Sequence, residues 1–282
     1  MIVFNSIKKV VLRPLGALGL VLVVMLLMSA LSADLIAPYD YSKVIIRDRF
    51  QTPSQDHLLG TDHLGRDLLS RALIGGQVAM KVAMICMSLS LIFGIVLGMI
   101  AGIGSKRVEN VITLFFDVVR SFPTIMFALA VVTVFGPSLK TVILVIVVGY
   151  TTIYGRVTRT LTMSLRGSEY VLSAQSMGAS TARVIFRHIM PNIIGSLLIL
   201  ASMDVPLIIT IEAGLSFMGL GVRPPTPSWG NILNDGYIYI NNTIWPLIVG
   251  GVPIILATLG FTFLGETLRD VFDPKLEKKD VL

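Results

Sequence analysis

The stretch Glu169-Tyr-Val-Leu-Ser-Ala-Gln-Ser-Met-Gly178-Ala-Ser-Thr-Ala-Arg183-Val-Ile-Phe-Arg187-His188-Ile-Met-Pro191-Asn192 lies between long apolar runs, and its reading decides the fold. Its pattern predicts two short helices. The first covers about 169–177 and stops at Gly178, a residue suited to a left-handed cap. The second starts after Ser180 as N-cap and runs until Pro191 opens the next apolar run. Val184, Ile185 and Ile189 give it one apolar side, flanked by Arg183 and Arg187. By composition alone, the same residues also describe an amphipathic loop lying on a membrane.

Outward from this segment the chain is strongly apolar. It has 282 residues, 54% hydrophobic and 14% charged, against roughly 25% charged in soluble chains. The charges gather in short clusters and leave long uncharged runs, which is the membrane signature. Six spans are expected, at residues 15–33, 82–104, 121–138, 140–156, 193–215 and 244–265. The second carries Gly94, Gly98 and Gly102 at a spacing of four, which suits close helix contact. The first resembles a signal peptide's apolar region and has a small-residue pattern at 29–33, but its length favours a retained helix.

Basic residues set the orientation. With the N-terminus inside, 15 of the 23 Lys and Arg residues fall on internal segments, among them Lys8, Lys9, Arg13, Arg156, Arg159, Arg269, Lys275, Lys278 and Lys279. Six of the eight external ones sit in one long loop, where aspartates offset them. Both termini are therefore expected in the cytoplasm. The net charge of +6 has this topological cause, and no basic stripe with interleaved aromatics points to nucleic acid. The single cysteine, Cys86, excludes an internal disulfide and reads as a small buried hydrophobe.

Two hydrophilic stretches exceed what a connection needs, 34–81 outside and 156–192 inside. In the first, Leu64, Leu68, Leu69, Ala72 and Leu73 share a face opposite Arg66, Asp67, Ser70 and Arg71, describing an interfacial helix. His57, Asp62, His63 and Asp67 fit no known ligand spacing, so no metal is expected. The segment 215–230 holds three glycines and three prolines and cannot form a regular helix. Irregular backbone at membrane depth must be buried in protein or line a cavity. Gly219, Gly221 and Trp229 mark it as an external gate or an ordinary apolar loop, with Trp229 suited to the membrane interface. Asp204 and Glu212 are charges within a span, about 80° apart around a helix. They line a pathway or pair with another subunit. Asp117 and Arg120, three apart, read as a local ion pair.

The 169–192 segment resembles the cytoplasmic EAA loop of ABC-importer permeases: Gly178 and Pro191 fall in register, and Ala174 keeps the last alanine. Leu172 and Ser173 replace the other EAA residues, His188 takes an isoleucine position, and Glu169 is the acidic residue at hand. Arg187-His188-Ile189-Met190-Pro191-Asn192 is similar to the peptide and nickel branch at five of six positions. His57 to Arg71 and Leu215 to Gly230 resemble the C-type dipeptide and oligopeptide permeases, although Gln77 stands where arginine is usual. The likeness runs from about residue 10 to 274.

The resemblance implies an all-α membrane protein with six transmembrane helices and the type I ABC-importer permease (MetI-like) fold. It divides the chain into an N-terminal helix with external arm (1–77), a five-helix core with the EAA-type loop at 156–192 (78–270) and a cytoplasmic tail (271–282). The chain has no phosphate-binding loop, no His-Glu-x-x-His and no Gly-x-Ser-x-Gly. It is thus expected to be no enzyme and to bind no cofactor, with ATP and magnesium held by a separate ATPase docked on Glu169, Ala174, Gly178, Arg183, Arg187, His188 and Pro191. The family implies a second permease, two ATPase subunits, an external solute-binding protein, and the inner membrane as location. Its solutes include dipeptides, oligopeptides, nickel and glutathione. The alternative is a secondary transporter driven by an ion gradient, for which no internal inverted repeat is visible.

Overall fold

Runs without charge in lipid leave the backbone only itself as hydrogen-bond partner, and helices follow. The computed structural model describes residues 11–272. Lys8, Lys9, Lys275, Lys278, Lys279 and all but the first two residues of the expected 271–282 tail lie outside the described residues. Besides two short turns of helix at Ala33–Ile36 and Ile46–Asp48, the elements are α1 (Pro14–Leu31), α2 (Leu68–Ile103), α3 (Lys106–Ser121), α4 (Thr124–Phe135), α5 (Leu139–Arg166), α6 (Glu169–Ser176), α7 (Thr181–Val184), α8 (Met190–Phe217), α9 (Trp229–Ile238) and α10 (Trp245–Phe272). A π-helical turn, Ile185–Ile189, fuses α7 to α8. Among the described residues the only β pairing is an isolated bridge between Thr61 and Asp67.

Among the described residues five helices are long and apolar enough to cross a membrane, and the α3–α4 pair makes a sixth span if counted as one, bent by 94°. The expected third span is therefore not one straight helix. Alone, α4 has 12 residues, about 18 Å at 1.5 Å per residue and short of a ~30 Å hydrocarbon core. Pro123 causes the break: it lacks an N–H and pushes Phe122 into extended backbone, φ −90° and ψ 131°. The fourth span extends well past Arg156, to Arg166, which shortens the internal loop at its start.

The chain packs as two units, residues 11–84, 128–143 and 203–272 in one and 85–127 and 144–202 in the other. In the first unit α1 runs antiparallel to α10. Gly19 backs onto the Gly260 carbonyl and Leu264, and Arg13 meets Asp270 at 2.8 Å where both helices end. Leu68, Ile232 and Val249 form a buried apolar cluster.

In the second unit the glycine row of α2 lies on α5. Gly94 faces Tyr154, Gly98 faces Gly155 and Thr158, and Gly102 faces Thr162. Phe116 of α3 fills the space over Gly155. The charged side of α3 turns toward α5, where Glu109 pairs with Arg159 and Asp117 with Arg156. Asp117 is thus held by Arg156 across helices and not by Arg120. The apolar side of α3, Val111, Leu114 and Val118, is exposed, the arrangement that a hydrocarbon solvent favours.

Candidate functional site

The 169–192 segment forms the expected pair of helices with a defined turn. Gly178 has φ +82°, the Gly178 N–H reaches the Gln175 carbonyl at 2.9 Å, and the Ala179 N–H reaches the Ala174 carbonyl at 3.1 Å. These two bonds are the Schellman closure that a left-handed glycine permits. Ser180 Oγ accepts the Arg183 N–H, capping the next helix.

That helix does not end at Pro191, as the sequence reading expected. It continues unbroken from Thr181 to Phe217 over 37 residues. Pro191 has no N–H to give the Arg187 carbonyl, and the preceding π turn, with the Met190 N–H on the Ile185 carbonyl, absorbs the mismatch. Val171, Ala174, Val184 and Ile189 are buried. Glu169, Arg183 and Arg187 are exposed, together with Met177 at 83% and Phe186 at 69%. His188 is half-buried beside the Tyr170 ring. Ala182, Arg183, Phe186, Arg187 and Pro191 line a shallow open hollow. Large apolar side chains thus stand exposed between arginines on a polar segment.

On α8 the two acidic residues have different surroundings. Asp204 is half-buried. Glu212 has no exposed surface, and its Oε1 accepts the Ser216 hydroxyl at 2.7 Å. The structure does not bring these two residues together.

The 218–228 connection is a built loop. Gly219, φ +75°, closes α8 with its N–H on the Ser216 carbonyl, while the Leu220 N–H returns to Leu215. Asn231 Nδ2 holds the Val222 carbonyl at 2.7 Å, and Ser228 Oγ caps α9. Trp229 is only 3% exposed. Its indole lies against Gly75 and Gly76 and donates to the Ala72 carbonyl. The expected interfacial tryptophan is instead a core residue, because two adjacent glycines leave a ring-sized space. That Gly75-Gly76 pair was the signal available in the sequence.

The external arm departs further from expectation. Arg66, Asp67, Ser70 and Arg71 are buried rather than facing water, and Leu68 lies in the core. Burial is tolerated because each of these groups has polar partners. Asp62 accepts from the Leu64 and Arg66 N–H groups and from Arg66 Nε at 2.6 Å. Asp67 takes Ser70 Oγ and His57 Nδ1. Arg66 also reaches Asp235 of α9 at 3.5 Å, and His63 stacks on Tyr239 with Nδ1 3.7 Å from Asp235. Burial pushes the Asp235 carboxyl above its ordinary value, against the pull of His63, Arg71 and Arg66. Asp62, His63 and Asp235 offer ligand atoms within 4.8 Å of one another, but the Asp62 oxygens are already engaged by Arg66 and the backbone. Arg66 thus links Asp62 and Asp235 in an ion network.

A chain of several apolar helices with a polar two-helix segment between them has the make-up of a transporter's membrane subunit. The chain belongs to the family described as binding-protein-dependent transport system inner membrane component, whose pattern matches residues 94–278. It is 34% identical over 274 residues to the dipeptide transport system permease protein DppC of Alkalihalophilus pseudofirmus, covering 97% of this chain and 89% of that one. It is 36% identical over 259 residues to the nickel transport system permease protein NikC of Escherichia coli K12, covering 92% and 94%. In fold it is similar to a chain of the inward-facing MetNI methionine ABC transporter, with TM-score 0.57 and 15% identity over 71% of this chain and 95% of that one. The chain is thus an inner-membrane permease subunit of the ABC importers, with the type I permease fold. ATP hydrolysis belongs to a separate subunit. Nothing in these likenesses favours an ion-gradient transporter.

Proposed function

We propose that this chain forms one half of a translocation pathway for peptides or similar small solutes, paired with a second homologous permease. Of two ATPase subunits, which bind ATP and magnesium, one docks on the exposed surface around Glu169, Gly178, Arg183, Phe186 and Arg187. An external solute-binding protein delivers and selects the solute. Asp204 borders the pathway, and the segment 215–230, with Gly219 and Gly221 on its loop and Trp229 at the start of α9, forms part of its outer gate. Both termini face the cytoplasm, in keeping with the basic-residue bias and with Arg13 and Asp270 meeting at one end of the α1–α10 pair.

The observation that carries this reading is the single helix from Thr181 to Phe217. Within one helical segment the chain passes from an exposed, arginine-flanked surface into an apolar span. The test is solute uptake into vesicles holding the assembled transporter. Uptake should require ATP and binding protein and persist when ion gradients are collapsed. Uptake driven by an ion gradient without ATP would overturn it.

A further inference from the structure

At the end of α8 a fully buried carboxylate is hydrogen-bonded toward the loop that follows. Glu212 is 0% exposed and Ser216, one turn later, is 1% exposed. The Ser216 hydroxyl donates to Glu212 Oε1 at 2.7 Å, and Ser216 Oγ in turn accepts the Val222 N–H at 3.3 Å. Gly221 sits so close that an added Cβ would fall on Ser216 Oγ. The Val222 carbonyl is held from the other side by Asn231. Glu212 Oε2 has no hydrogen-bond partner, and no ion pair reaches the residue among the described residues.

We infer that Glu212 is a positioning residue that acts as a hydrogen-bond acceptor: it orients the Ser216 hydroxyl so that Ser216 pins Gly221 and Val222 against the end of α8. The serine rotor has one proton. Directed at Glu212, it leaves a lone pair facing the Val222 N–H. Without the acceptor the hydroxyl is free to turn, and the loop loses this tie to α8 and keeps the glycine closure. This deepens the reading of residues 219–230 as the outer gate and rests on it. It also separates Glu212 from Asp204: one supports the loop, the other borders the path.

The test uses the complete transporter in membranes, with Cys86 replaced by alanine. A reporter thiol is introduced by Val222→Cys, at a position that is buried. Glu212→Gln keeps an acceptor without a charge. It should hold uptake within about twofold of the parent and leave the reporter thiol protected from a water-soluble maleimide. Glu212→Ala and Ser216→Ala should each lower uptake about tenfold, raise the rate of reporter labelling similarly, and combine without further loss. Ser216→Ala removes one oxygen only and stands in if the Glu212 variant fails to insert. If Glu212→Gln is as inactive as Glu212→Ala, the residue works as a charge and the inference is wrong. A reporter thiol still protected in Ser216→Ala also overturns it. Normal reporter behaviour with no uptake in any variant, parent included, would count against the transport reading and not against the anchor.

Discussion

Trp229 donates its indole N–H to the carbonyl oxygen of Ala72, 2.9 Å away, with its ring against Gly75 and Gly76. This one contact sets the start of α9 on the start of α2. It also explains why the 215–230 segment, unable to be a helix throughout, is not a loose loop. Trp229→Ala should cost about 3–5 kcal/mol, the range for emptying a buried aromatic site. Trp229→Phe, losing mainly the hydrogen bond, should cost about 1 kcal/mol. Thermal melts of the detergent-solubilised protein give the order directly. Equal, small effects from both would mean that the indole lies at a lipid interface after all.

The glycine row of α2 makes a second prediction. An added Cβ at Gly98 would lie 2.6 Å from Thr158 Cβ, so Gly98→Leu must part α2 from α5. About 3 kcal/mol of destabilisation is expected, the upper range for overpacking. Gly149 has nothing within 4 Å of such an atom, and Gly149→Ala should be silent or slightly stabilising. Expression level and melting temperature of the pair provide the check.

Asp235 gives the external cluster a pH dependence. Burial raises its carboxyl above the ordinary value of 3.8, so the folded arm holds that proton more tightly than an unfolded one. The corresponding stability is complete below 3.8 and is lost as pH rises through the raised value. Wild-type arm stability, followed by hydrogen exchange at residues 57–71, should therefore fall across that window. Asp235→Asn should flatten the slope, since Arg66 keeps Asp62 as partner. Identical pH slopes for the two proteins would show that Asp235 does not titrate with folding.

The spans were legible in the sequence because hydropathy is a property of composition, and the turn at Gly178 because glycine at a left-handed cap has few substitutes. Burial of the polar groups was not. The pattern at 64–73 shows two faces but not which one the protein covers. Only the partners Asp62, Asp235 and His57 make the polar face the buried one. Asp117 met the same limit: Arg120 is three residues away in the chain, whereas Arg156 becomes a neighbour only once α5 lies beside α3. The π turn before Pro191 was hidden because a proline after a short helix reads equally well as a stop. Glu212 was legible as an intramembrane acid, but its tie to Val222 depends on how the chain folds back after Gly219.

The most direct test of the account is co-purification of the ATPase with Gly178→Asp permease, alongside ATP-dependent uptake. Gly178 has φ +82° with open space around it, so an added Cβ meets no atom within 4 Å. Aspartate is among the residues that best tolerate that backbone. The subunit should therefore insert and melt within about 1 kcal/mol of the parent, while the new charge on the docking surface reduces ATPase recovery and uptake about tenfold or more. Binding-protein affinity for solute should not change. Normal ATPase recovery and normal uptake in this variant would contradict the docking role of residues 169–192.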